Sequence, residues 1–154
     1  VAQAAKLLDV FRRQSLPVIH IQQVSTRPGA IFFLPDTRGV EIHSSVAPHF
    51  GETVFTKHYP NAFRETPLLD HLRAHAITQL VIAGMMTQMC IDTSTRAAAD
   101  LGFACTVAHD ACATRALSFG GATVAAADVQ AAFMAALNGL FAKVLATAEI
   151  QSSI

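Results

Sequence analysis

The sequence lacks tryptophan, has a single tyrosine, and has only 14% charged residues that sum to a formal net charge of zero. Because nucleic-acid binding needs a concentrated positive field, this balance argues against a nucleic-acid partner. No apolar run approaches the roughly 20 residues that span a bilayer, so we expect no membrane association. The three cysteines lack the paired spacing of a disulfide framework, and we therefore expect a reducing compartment, the cytoplasm.

Apolar residues are abundant instead, at 52% of the 154 positions. A chain of this length and composition can bury a substantial core, so residues 1–154 are expected to form a single domain. Such an apolar composition also fits a buried subunit interface, and we expect a homo-oligomer.

Strand-like and helix-like patterns alternate along the chain. Helices are predicted over residues 1–14, 68–75, 90–101 and 124–137, and strands over 18–24, 53–57, 80–83, 103–108 and 141–147. The alternation predicts an α/β fold with a doubly wound, mostly parallel sheet and helices on both faces, a three-layer, Rossmann-like arrangement. The long connection over 25–50 carries an apolar island, including Phe32 and Phe33, which we expect to pack over a site.

Cys90 lies just past the buried strand 80–83, at the start of a predicted helix. Open α/β sheets bind ligands at the carboxyl ends of their strands, and a helix start favours a thiolate over a thiol. The position therefore predicts a nucleophile, although most free cysteines are simply small buried hydrophobic residues. Cys105 and Cys112 are expected to have packing roles.

Two features near Cys90 strengthen that interpretation. The turn over 84–87 can point successive N–H groups at one point, as acyl transfer requires, although an ordinary strand-to-helix loop also explains its glycine. Lys57 ends a strand; if that strand reaches the same sheet edge, the lysine can stabilise a thiolate, whereas most such lysines are solvated. Asp110 is expected to cap a loop, and the seven histidines show no metal-binding pattern.

The segment 81–93 resembles the nucleophile segment of the isochorismatase-like cysteine hydrolases. Residues 95–98 and 110–114 continue the match, and Lys57 followed by Asn61-Ala62-Phe63 resembles the lysine motif of that family. The resemblance runs over nearly the whole chain and implies the same doubly wound sheet.

The resemblance also implies the catalytic groups. The family uses an Asp-Lys-Cys triad, in which Cys90 is the nucleophile and Lys57 the positioning cation. The backbone N–H groups of Met86 and Cys90 form the oxyanion hole, and a cis peptide bond joins Met85 to Met86.

The implied substrate is a small molecule whose amide, carbamoyl or cyclic amide C–N bond is hydrolysed through a thioester. We expect an apolar pocket lined by Phe32, Phe33, Tyr59, Asn61, Phe63, Thr87 and Met89. The metal-binding D-x-H element of the family's nicotinamidases is absent after Val24, so no metal and no cofactor are expected.

One departure from the family pattern concerns its aspartate, which lies at the end of the first strand. This chain begins inside the first predicted helix. Asp9 is on the polar face of that helix and cannot replace the aspartate, whereas Asp36, in the long loop, is a distant alternative. We therefore expect an N-terminally incomplete domain without that strand, which leaves unpaired backbone groups in the middle of the sheet. The absent acid favours a second interpretation, a non-catalytic scaffold or binding protein. An isochorismate-type ether hydrolase and an anion-binding module are two further hypotheses.

Overall fold

The computed structural model describes residues 1–154, which form five α-helices and seven β-strands. The helices are α1 (Ala2–Arg13), α2 (Leu68–Ala74), α3 (Asp92–Asp100), α4 (Ala126–Leu137) and α5 (Thr147–Ser153). The strands are β1 (Ile19–Gln23), β2 (Thr53–Lys57), β3 (Gln79–Met85), β4 (Ala104–Ala113), β5 (Leu117–Phe119), β6 (Ala122–Val124) and β7 (Lys143–Leu145). A π-helical turn over Thr87–Ile91 joins β3 to α3. None of the helices combines the length and apolarity that a membrane crossing requires.

The central strands all pair in parallel, which confirms the predicted α/β class. β1 pairs with β2, and β4 lies between β3 and β7. Only β5 and β6 are antiparallel, and they form a separate hairpin.

Helices cover both faces of the sheet, as the doubly wound arrangement requires. Adjacent residues of a strand point to opposite faces, and β4 shows this directly. Val107 packs with Met134 and Leu137 of α4, whereas Ala108 packs with Leu7 of α1 and Ile150 of α5. Two hydrophobic layers therefore stabilise the sheet, one on each side.

A cleft separates β1 from β3. β1 pairs on one side only, with β2, and β3 pairs on one side only, with β4. Two cavities of about 290 and 230 Å³ occupy the space between them, and both are lined by Ile19, Ile21 and Val81. The cleft lies where a middle strand was expected to be absent, and the free edges of β1 and β3 border it.

The hairpin β5–β6 was not predicted, and it shortens the predicted helix 124–137 to α4. Its two-residue turn is Gly120-Gly121, with φ angles of 58° and 80°. Tight hairpin turns need positive φ at both central residues, which glycine supplies without strain. The Gly-Gly pair between two short β-prone segments was the signal that could have revealed the hairpin.

The last strand is shorter than predicted because α5 begins at Thr147. The backbone N–H and the hydroxyl of Thr147 donate to Asp110 Oδ1, over 2.8 and 2.7 Å. Asp110 therefore binds the first residue of a distant helix and does not, as was expected, cap the loop that follows it. Burial opposes its ionisation, but the hydrogen bonds from Thr147 outweigh burial and lower the pKa of the carboxyl.

Pairing between β3 and β4 shifts register just before the site. Ile82 pairs with Val107, and Gly84 pairs with Cys112, so residues 108–111 of β4 lie opposite the single residue Ala83 of β3 and form a bulge in this ladder. The bulge extends both strands beyond their predicted ends. Gly84 and Met85 are thereby held in the sheet immediately before the π-helical turn.

Candidate active site

Lys57 and Cys90 line the same cavity, the one of about 230 Å³. Lys57 is the last residue of β2, and Cys90 lies in the turn that follows β3. Both residues are buried, with 4% and 9% of their surface exposed. The structure therefore brings the predicted nucleophile and the predicted cation to one site at the carboxyl ends of two parallel strands.

The cavity is largely apolar, and Lys57 and Ser94 are the polar side chains that line it. Of the 17 residues that line it, 14 are hydrophobic, and none is acidic. The Lys57 ammonium donates a hydrogen bond to the carbonyl oxygen of Pro60 at 2.6 Å and forms no salt bridge. A cation in such surroundings attracts negative charge that develops beside it.

The turn before Cys90 contains the predicted cis peptide bond, between Met85 and Met86, and Gly84 has a φ of 134°. The carbonyl oxygen of Met86 accepts from the N–H groups of Met89 and Ile91, at 3.0 and 3.3 Å. The N–H of Met86 donates to no backbone acceptor, and Met86 is not among the residues that line the cavity. The oxyanion hole stays a prediction.

Two consecutive side-chain hydrogen bonds join the turn before Cys90 to α4 and β4. Thr87 Oγ1 donates to Gln130 Oε1 of α4 at 2.7 Å, and Gln130 Nε2 donates to the carbonyl oxygen of His109 at 2.9 Å. Thr87 is fully buried by these contacts and does not line the cavity. Its role is therefore to anchor the turn.

Of the other predicted pocket residues, only Phe63 lines the cavity. Phe32 and Phe33 lie in the long loop, edge to face with their ring centroids 5.2 Å apart, and Phe32 is 49% exposed. The apolar island of that loop is therefore largely exposed and does not line the cavity beside the cysteine.

Tyr59, Asn61 and Met89 also lie outside the cavity lining. The Arg64 guanidinium covers the ring of Tyr59, 3.6 Å from its centroid. Asn61 Oδ1 accepts from the N–H of Phe63 at 2.9 Å, and so shapes the loop that carries Phe63. Tyr59 and Asn61 therefore stabilise local structure, because each contacts a residue nearby in the sequence.

Ser94 lines the cavity and was missed by the sequence analysis. It follows Cys90 by four residues, and residues at this spacing share one face of a helix. The spacing was a usable signal, since any side chain four residues after a nucleophile at a helix start faces the same site.

The other two cysteines have thiols whose ionisation is disfavoured. Burial raises the pKa of the Cys105 thiol and raises the pKa of Cys112 to about 11. Both thiols are therefore expected to stay protonated at neutral pH.

No group of three or more His, Cys, Asp or Glu side chains converges anywhere in the structure. Asp36, the acid considered in the long loop, is exposed and has a φ of 59°. It does not line the cavity, so it does not complete a triad with Lys57 and Cys90.

Comparisons with known proteins agree with the α/β fold. A sequence model of the Isochorismatase domain matches residues 1–149. An uncharacterized isochorismatase family protein of Bacillus subtilis is 48% identical over 144 residues, which are 94% of this chain and 80% of that protein. A crystal structure of a family member from Oleispira antarctica is 53% identical with a TM-score of 0.93, and the match covers 97% of this chain and 79% of that one. Streptothricin hydrolase of Streptomyces noursei is 35% identical over 108 residues, 70% of this chain and 42% of the relative.

Proposed function

This chain belongs to the isochorismatase family, and from that premise we propose that it is a hydrolase that cleaves a C–N bond of a small molecule, with Cys90 as the nucleophile. The observation that carries the proposal is the shared cavity of Cys90 and Lys57. Its volume of about 230 Å³ suits a ligand smaller than most drug-sized molecules. Among the relatives, streptothricin hydrolase and maleamate amidohydrolase are named as hydrolases, the second as an amidohydrolase.

In the proposed reaction, the Cys90 thiolate attacks the carbonyl carbon of an amide, a carbamoyl group or a cyclic amide. The backbone N–H groups of Met86 and Cys90 bind the oxyanion that forms, and loss of one such donor typically slows acyl transfer by on the order of 100-fold or more. The C–N bond then breaks, the amine leaves with a proton, and a thioester remains on Cys90. Water hydrolyses the thioester and regenerates the thiol.

Lys57 supplies the positive charge of the proposed site. It is nearly fully buried and faces an apolar lining, so its ammonium is poorly screened by water. The charge favours the anionic sulfur and, later, the anionic intermediate.

Proton transfer in this scheme requires an acid that the cavity lining does not contain. We place it in a carboxylate that enters the cleft between β1 and β3, because this cleft is continuous with the cavity and bordered by unpaired strand edges. In this scheme the carboxylate takes the thiol proton and later activates water.

The test is hydrolysis of a panel of small amides, carbamoyl compounds and cyclic amides by the full-length protein, scored by release of ammonia or amine. Cys90→Ala is expected to abolish turnover and to leave the circular dichroism spectrum unchanged. Cys112→Ala is the matched control and is expected to retain turnover, since that thiol is protonated and outside the cavity. Turnover of a confirmed substrate by the Cys90→Ala variant contradicts the proposal.

A second function, a non-catalytic scaffold or binding protein of the same fold, is favoured by one observation. The cavity lining contains no acidic side chain, and hydrolysis needs one. The two functions differ in the reactivity of Cys90, because a scaffold has no reason to hold a reactive thiol there. Alkylation of Cys90 no faster than that of a free thiol would favour the scaffold.

A further inference from the structure

Ser94 connects the two elements that carry the site. Its hydroxyl donates to the carbonyl oxygen of Pro60 at 3.2 Å and accepts from the N–H of Ala62 at 3.0 Å. The same carbonyl oxygen of Pro60 accepts from Lys57 Nζ at 2.6 Å. One oxygen atom is thus bound both by the cation of the site and by a side chain one helical turn beyond Cys90.

We infer that Ser94 is a positioning residue, which holds the Lys57 ammonium at its place relative to Cys90. This inference deepens the proposed function and rests on it. A serine hydroxyl has one proton, and Ser94 uses it on Pro60. It also accepts from Ala62, so the hydroxyl acts on the loop that carries these residues and has no proton for a substrate.

Ser94 lies where the elements that carry the two groups meet. Lys57 ends β2, and Cys90 lies in the turn between β3 and α3. The hydrogen bonds of Ser94 join the loop after β2 to α3.

The test compares Ser94→Ala with Ser94→Thr, which keeps the hydroxyl, and with Thr93→Ala as a control. Thr93 is the neighbouring half-buried hydroxyl of the same helix, and it does not line the cavity. Two readouts are used at pH 7: the alkylation rate of Cys90 by iodoacetamide, and hydrogen exchange of the Ala62 amide. Circular dichroism checks that each variant is folded.

In Ser94→Ala we expect Cys90 alkylation to slow about fivefold, the effect of one lost hydrogen bond. The Ala62 amide loses its acceptor and is expected to exchange about tenfold faster. Ser94→Thr restores both rates to within about twofold, and Thr93→Ala changes neither. Once a substrate is known, Ser94→Ala is expected to lower kcat more than it raises KM, because the hydroxyl acts through Lys57 and donates its proton to Pro60.

Two results overturn the inference. If alkylation of Cys90 is unchanged in Ser94→Ala while the Ala62 amide exchanges faster, Ser94 supports the loop alone. If neither the alkylation rate of Cys90 nor the exchange rate of the Ala62 amide changes, the hydrogen bonds of Ser94 do not form in solution. Failure of the proposed function looks different: the amide panel gives no turnover with the wild-type protein, yet both rates still respond to Ser94→Ala.

Discussion

Glu52, the residue just before β2, joins three parts of the fold through one carboxylate. It accepts from Arg12 Nε and Nη2 of α1 at 2.7 and 2.8 Å, and from the N–H of His49 at 2.8 Å. It also lies 2.8 Å from Nε2 of His20 in β1. Because α1 and β1 both line the larger cavity, we expect Glu52→Gln to loosen the wall of the cleft.

The magnitude follows from the number and charge of these bonds. Hydrogen bonds to a charged group contribute about 1.5–3 kcal/mol each, and a neutral glutamine keeps a fraction of each. Arg12 also keeps its charge and loses its partner, although its side chain is 21% exposed and is partly solvated. We therefore expect Glu52→Gln to lower the free energy of unfolding by about 2–4 kcal/mol at pH 7.

The pH dependence gives an independent check. The hydrogen bonds from Arg12, more than any other cause, hold the pKa of Glu52 well below its usual range. A lowered folded-state pKa stabilises the protein above the ordinary glutamate pKa of about 4.3, and this stability is lost as the pH falls toward the folded-state value. The advantage of the wild type over Glu52→Gln is therefore expected to shrink below about pH 4.

The assay is urea unfolding followed by circular dichroism, at pH 7 and at pH 3. Asp9→Asn is the control, since the ion pair of Asp9 with Arg13 on the same helix is 63–68% exposed and is expected to contribute less than about 0.5 kcal/mol. The reasoning is refuted if Glu52→Gln costs no more than Asp9→Asn at pH 7. It is also refuted if the difference between wild type and Glu52→Gln grows at pH 3.

Three core substitutions give further predictions, each measured by urea unfolding. Thr87→Val removes the donor to Gln130 and is expected to destabilise by about 1–2 kcal/mol; equal stability contradicts the anchoring role. Thr95→Val is its matched opposite, because the buried Thr95 hydroxyl has no hydrogen-bond partner, and we expect a gain of about 0.5–1 kcal/mol; a loss above about 1 kcal/mol contradicts this. Leu137→Ala empties a fully buried position and is expected to cost about 3 kcal/mol; a cost below about 1 kcal/mol means that the core collapses around it.

The central layer of the fold could be predicted because its signals are local. Apolar runs bounded by glycine and proline marked the strands that became β1 to β4, and β2 has the predicted bounds. The predicted strand ends were less accurate where pairing with another strand decides them. One example is β4, whose extension to Ala113 depends on the bulge near Gly84. α5 was missed because its start depends on a contact with Asp110, which is 37 residues away from Thr147 along the chain.

The candidate site was predictable in part for the same reason. Lys57 ends β2 and Cys90 follows β3, and α/β folds bind ligands at the carboxyl ends of their parallel strands. The pocket lining depends on how the long loop packs, and its island residues Phe32 and Phe33 have no sequence signal that distinguishes a loop packed over the site from one that is exposed. Ser94 could have been identified from the sequence, because it follows Cys90 by four residues and this spacing places both on one helix face.

The most direct test of the central claim is the relative reactivity of the three cysteines in the folded wild-type protein. Each thiol is alkylated with iodoacetamide at pH 7 and followed by peptide mass spectrometry. The account predicts that Cys90 reacts first and faster than a free thiol, while Cys105 and Cys112 stay protected by their raised pKa values. Alkylation of Cys90 as slow as that of Cys105 and Cys112 would contradict it.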